Sequence, residues 1–156
     1  MEDRIAAILD KFRAISAIPR CSKNEAQLAE WLTRWAREQD FAFQSDQAGN
    51  LVVRVPAAPG RADHPPVVLQ GHMDMVCEKT PESGHDFERD PIRVTREGEW
   101  LRAEGTTLGA DNGIALAMMM VLTEDGAAPH PPLELLFTAD EESGLIGAHK
   151  LDPTLV

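Results

Sequence analysis

Apolar side chains recur at helical spacing over residues 3–18, where Ile5, Ile8, Leu9, Phe12 and Ile15 share one face. Pro19 ends that helix. Ser22 followed by Glu25 has the spacing of a capping box. Leu28, Trp31, Leu32 and Trp35 then form a second stripe, which predicts a helix to about Glu38. Beyond it the pattern changes. FAFQ alternates, DQAGN is a turn and LVVRV is β-branched, so the reading is strand, turn, strand. A loop rich in proline and glycine leads into VVLQ, a short apolar run of the kind found in strands buried on both faces. Residues 77–90 are polar and predict a loop. PIRVTREGEWLRAEG predicts a hairpin turning near Glu97 and Gly98. A glycine-rich loop, GTTLGADNG, precedes the apolar helix IALAMMMVL, whose Met118, Met119 and Met120 are expected in the core. PLELLFTA is a further strand, and GLIGAHKL opens another helix. Strand–helix–strand alternation in the second half predicts an α/β fold, a mixed sheet flanked by helices.

Length and composition narrow the classes. The 156 residues amount to about one domain, with 43% hydrophobic and 26% charged residues. No apolar run approaches the roughly 20 residues of a membrane span, and the N-terminus lacks a signal-peptide layout, so a cytoplasmic protein is expected. Fifteen basic against 26 acidic residues give a net charge of −11, which repels nucleic acid and favours solubility. Cys21 and Cys77 lie far apart, and without export nothing implies a disulfide. No CxxC pair supports a thiolate zinc site.

Three short stretches carry candidate chemistry. In GHMDMV, His72 and Asp74 share one side of an extended segment, with Met73 opposed, at the end of a predicted strand. One ring nitrogen could ligate a metal while the carboxylate holds the other; the alternative is a polar loop pair. In LGADNG, Asp111 sits where a loop meets a helix N-terminus, which favours a carboxylate and equally suits an N-cap. In FTADEESG, Asp140, Glu141 and Glu142 follow an apolar strand. Such acids repel unless solvated or paired with a cation. In an extended segment Glu141 and Glu142 would face opposite sides, one toward substrate and one toward metal; a solvated acidic turn is the plainer reading. Taken together, the three stretches offer histidine and carboxylate ligands suited to zinc or manganese, at strand ends or strand–helix junctions. One carboxylate can bridge two metals about 3.5–4 Å apart.

GHMDMV, HDFERDPI, GEWLRAEGTTLGADNG and TADEESGLIGA, in that order, resemble the aminoacyl-histidine dipeptidases, also called Xaa-His or cytosol non-specific dipeptidases. These belong to the co-catalytic zinc peptidases, with the aminoacylases and glutamate carboxypeptidases. The resemblance implies that His72 ligates one of two zinc ions, that Asp74 orients His72, and that Asp111 bridges both metals through a residue whose peptide link to Asn112 is cis. It implies Glu141 as general base and Glu142 as a ligand of the other metal. Manganese or cobalt would suit the same donors. The implied reaction is hydrolysis of Xaa-His dipeptides by water activated between the metals. His64, His130 and His149 match no motif and are expected to be exposed or without a role, and His85 has none assigned.

In the family pattern one further metal-binding acid and one histidine follow beyond residue 156, with an inserted second domain that helps form the substrate site and often a dimer. Residues 1–156 are thus expected to be the N-terminal portion of the catalytic domain. Each metal would find two of its three protein ligands here, so weak zinc binding, poor turnover and an exposed sheet edge are expected. The competing expectations are a non-catalytic fragment or interaction module, and a related N-acyl amino acid hydrolase or carboxypeptidase.

Overall fold

The computed structural model describes residues 2–126 and 128–156. Two helices open the chain, α1 (Glu2–Ser16) and α2 (Ala26–Glu38). Strands β1 (Ala42–Ser45) and β2 (Leu51–Val55) follow as an antiparallel pair. β3 (Val67–His72) comes next, then a hairpin of β4 (Val94–Glu97) and β5 (Trp100–Ala103). Helix α3 (Ala110–Glu124), strand β6 (Leu133–Thr138) and the short helix α4 (Ile146–His149) complete the order. The main sheet runs β1-β2-β6-β3. β6 pairs antiparallel with β2 and parallel with β3, so the expected mixed sheet is observed. Parallel strands need a long crossover, and α3 supplies it.

The core forms on one face of this sheet. Leu51, Val53 and Val55 of β2 and Leu133, Leu135 and Phe137 of β6 meet Phe12 and Ile15 of α1, Leu28, Leu32 and Trp35 of α2, and Leu116 and Met120 of α3. The alternate residues Val52 and Leu136 turn to the other face, where Leu155 covers them. This double covering explains why Leu51, Val52 and Val53 of β2 are apolar in succession rather than alternating with polar residues.

Four expectations from the sequence need correction. β3 is an edge strand rather than one buried on both faces: Val67 is 43% and Val68 47% exposed, and only Gly71 and His72 at its end are buried. Met118 is 54% exposed, because three consecutive residues of a helix cannot all face one core, whereas Met119 and Met120 are buried. Ser22 does not cap α2; Glu25 occupies the N-cap position and Ser22 bonds elsewhere. Cys21 and Cys77 form a disulfide, with Cα atoms 5.7 Å apart. Residue 21 pairs with Met75 as a parallel bridge, which brings the two cysteines together across 56 residues of sequence.

Close packing of β3 on α3 depends on Gly71. A Cβ there would lie 2.9 Å from Met119 Cε and 3.2 Å from Leu116 Cδ2. Replacing Leu135, buried at the centre of the sheet, by alanine is expected to cost about 2–5 kcal/mol of stability, against less than about 0.5 kcal/mol for Met118→Ala. Chemical denaturation of both variants checks this; equal losses would contradict the assignment of the core face.

Candidate metal centre at the strand ends

The register of the parallel pair builds the site. His72 is the Cα partner of Thr138, and the Met73 amide donates to the Thr138 carbonyl at 2.7 Å. β3 and β6 therefore end side by side, and the HMD and ADEE segments leave the sheet together. This is the carboxyl edge at which open α/β sheets carry their sites.

His72 is buried, with its ring held from both sides. Nδ1 lies 3.1 Å from the Asp74 carbonyl and 3.3 Å from Asp74 Oδ1, so this nitrogen faces acceptors and donates. Nε2 lies 3.0 Å from Asp111 Oδ1 and 3.9 Å from Glu141 Oε2. The expected sharing of one side by His72 and Asp74, with Met73 turned into the core, is what the structure contains.

Asp74 is fully buried. Its carboxylate accepts from Ser22 Oγ at 2.8 Å, from the Glu141 amide at 2.9 Å and from the Glu142 amide at 3.0 Å. Burial works against the charged form, but the bonds from His72, the two amides and Ser22 outweigh it and hold the carboxyl well below the usual carboxylate range. Glu25, also buried, extends the arrangement: its Oε1 accepts the Asp140 amide at 2.8 Å and the Lys23 amide at 3.0 Å. Three consecutive amides, 140 to 142, thus bond to two buried carboxylates. The chain here is not extended, since Asp140 has φ +50°. Glu141 and Glu142 accordingly do not diverge as an extended segment predicts; both bring a carboxylate oxygen into a group with a His72 ring nitrogen, all within 4.8 Å of one another.

Asp111 reaches the site from the start of α3. The cap position is Gly109, at φ +69°, and the backbone at Asp111 and Asn112 is non-helical. The peptide between these two residues is cis. The Asp111 side chain is 83% exposed apart from its contact with His72. It does not act as the N-cap.

Arg20, unassigned by the sequence, is buried beneath these segments and bonds to the carbonyls of Met73, Asp74 and Gly109. Burial lowers its pKa to about 10, with Asp74 opposing, so it stays charged at neutrality. Of the other histidines, His130 is half-buried rather than exposed, and His85 packs edge-on against Phe87 at 4.5 Å. Neither belongs to this site.

The donor set suits a hard or borderline dication: one imidazole nitrogen and the carboxylates of Asp111 and Glu142, with the Glu141 carboxylate beside them. Without a cation, the ring takes up a proton in its place. Burial disfavours that charge, but bonds to Asp74 and Asp111 and the charges of Asp74 and Glu141 prevail and raise the His72 pKa to about 9. Glu142 is pushed upward, by desolvation and then by the negative charge of Glu141.

Residues 68–153 match the profile of peptidase family M20/M25/M40. The cytosol non-specific dipeptidase of Escherichia coli (strain K12) is 47% identical over 142 residues, covering 91% of this chain and 29% of the relative. The aminoacylhistidine dipeptidase of Vibrio alginolyticus superposes with a TM-score of 0.93 at 42% identity, over 97% of this chain and 31% of that one. An aminopeptidase PepT from Bacillus cereus superposes with a TM-score of 0.78 at 27% identity, over 97% of this chain and 40% of that one. The chain spans about a third of the length of these relatives.

A pH dependence follows from the raised His72 pKa. Its protonated ring stabilises the metal-free fold fully below the unfolded value near 6.5, and that contribution is lost as pH rises toward 9. Unfolding free energy of the metal-free chain is therefore expected to fall between those values, and the slope to vanish in His72→Gln. A slope of equal size in the variant would contradict the assignment.

Proposed function

The chain belongs to peptidase family M20/M25/M40, and we propose that residues 1–156 carry the N-terminal portion of a two-zinc centre that hydrolyses dipeptides, Xaa-His among them. The observation that supports this most directly is the approach of Asp111, Glu141 and Glu142 to the one buried ring of His72. The names of the dipeptidase relatives support the substrate class.

In this reading His72 and Asp111 would hold one ion, and Asp111 and Glu142 would hold the other. Metal bound by these residues would supply Lewis-acid chemistry, polarising the scissile carbonyl and acidifying the attacking water. Asp74 keeps the Nδ1 proton of His72 engaged, which leaves Nε2 with a lone pair turned toward the carboxylates. Glu141 accepts a proton from the water as its oxygen bonds to the carbonyl carbon. It then delivers that proton to the departing amine as the carbon–nitrogen bond breaks. The anchoring of the Glu141 amide on Asp74 holds this base beside His72.

Zinc titration against a competing chelator tests the centre. Saturable uptake is expected in the native chain and is expected to disappear in His72→Ala and in Glu142→Ala. Uptake that survives both changes would overturn the ligand assignment. In dipeptide hydrolysis by a full-length enzyme carrying these residues, Glu141→Gln is expected to lower turnover by about 10²–10⁴-fold while leaving zinc uptake in place. Retained turnover would remove Glu141 as the base.

A further inference from the structure

We infer that Arg20 is a positioning residue: its guanidinium sets the separation between the segment bearing His72 and the segment bearing Asp111. For its functional consequence the inference rests on reading these residues as metal ligands; for its geometry it does not.

A fully buried guanidinium is costly unless its donors are matched. Arg20 is 1% exposed, yet among the described residues no carboxylate takes its hydrogen bonds, and its Nε finds no partner there. All three bonds go to main-chain carbonyls of the site. Nη1 donates to Met73 at 2.9 Å and to Asp74 at 3.0 Å, and Nη2 donates to Gly109. Met73 and Asp74 directly follow His72, and Gly109 stands two residues before Asp111. One planar group therefore spans the end of β3 and the entry to α3. Its rigid fork transmits position in a way a flexible ammonium cannot.

The glycines of LGADNG make room for it. A Cβ at Gly109 would lie 2.5 Å from Arg20 Nη2, and one at Gly113 would lie 2.8 Å from the same atom. Both glycines flank Asp111. The main chain reinforces the link, since the Met75 amide donates to the Arg20 carbonyl at 3.1 Å. A residue serving only to fill the core would be apolar here. Arg20 instead carries a buried charge whose bonds all end on the two segments that present His72 and Asp111.

Two readouts separate this inference from the metal reading. In the metal-free chain, NMR would follow the His72 ring nitrogens and the amides of Asp111 and Asn112 in the native protein and in Arg20→Gln. The inference expects these signals to shift, with the ring losing the signature of its bond to Asp111, while strand β6 stays unchanged. Should Arg20→Gln lack a cooperative melt, Arg20→Lys carries the same test, because it keeps the buried charge but cannot span both segments. Cobalt(II) titration, read by its visible absorption, then gives the consequence: affinity about tenfold to a hundredfold lower in the variant. A lowered melting temperature with unchanged His72 and Asp111 signals and an unchanged cobalt titration would reduce Arg20 to a structural residue and overturn the inference. Shifted signals in a native chain that takes up no cobalt would uphold the positioning role and sink the metal reading instead.

Discussion

The carboxylate of Asp74 sits out of contact with water, and a charge in that position survives only if the protein replaces its hydration. The replacement comes from widely separated parts of the chain: the Ser22 hydroxyl from the segment before α2, the ring of His72 from β3, and the amides of Glu141 and Glu142 from the loop after β6. Each donor is ordered by the bond it makes. The same interaction that satisfies the buried charge therefore holds the Nδ1 side of the His72 ring and the path of the Glu141–Glu142 loop. Glu25 continues this on the next amide, and Arg20 bonds to the carbonyls on the reverse side of the same strand end. The segment from Arg20 to Glu25 is thus the frame on which the three motif-bearing stretches meet.

This explains why the site lies where it does. The parallel register of β3 and β6 sets the two strand ends level, and the loop leading into α3 brings Asp111 to the same edge. The hydrophobic core behind them holds the strands but does not aim the side chains. Aiming is done by polar groups that are buried and bonded, which makes the arrangement stiff and costly to alter.

The elements and the chemical residues were legible in the sequence for a common reason: their signals are local. Two apolar stripes at helical spacing, a β-branched run and HxD after an apolar strand each declare themselves within a few residues. What was not legible depends on distant partners. Ser22 reads as a cap because Glu25 stands three residues on, whereas its partner is 52 residues away. Glu25 reaches across 115 residues to Asp140. Arg20 resembles any polar residue after a helix-ending proline until its acceptors, 53 to 89 residues away, are known. The disulfide is hidden for the same reason, and the expectation of a cytoplasmic chain argued against it. β3 was misread because an apolar run reports composition, and only the sheet order reveals that one of its sides has no neighbour. The positive φ at Asp140 likewise defeats the strand-like alternation assumed for the two glutamates.

The central claim is that the Asp74 carboxylate orders the loop carrying Glu141 and Glu142. Amide hydrogen exchange at those two residues, in the native chain and in Asp74→Asn, tests it most directly. The substitution keeps the shape but turns an amide NH₂ toward one of the two donors. The account expects both amides to be protected in the native chain and to exchange far faster in the variant, with Leu135 and Phe137 of β6 unaffected. Unchanged protection at Glu141 and Glu142 would contradict it.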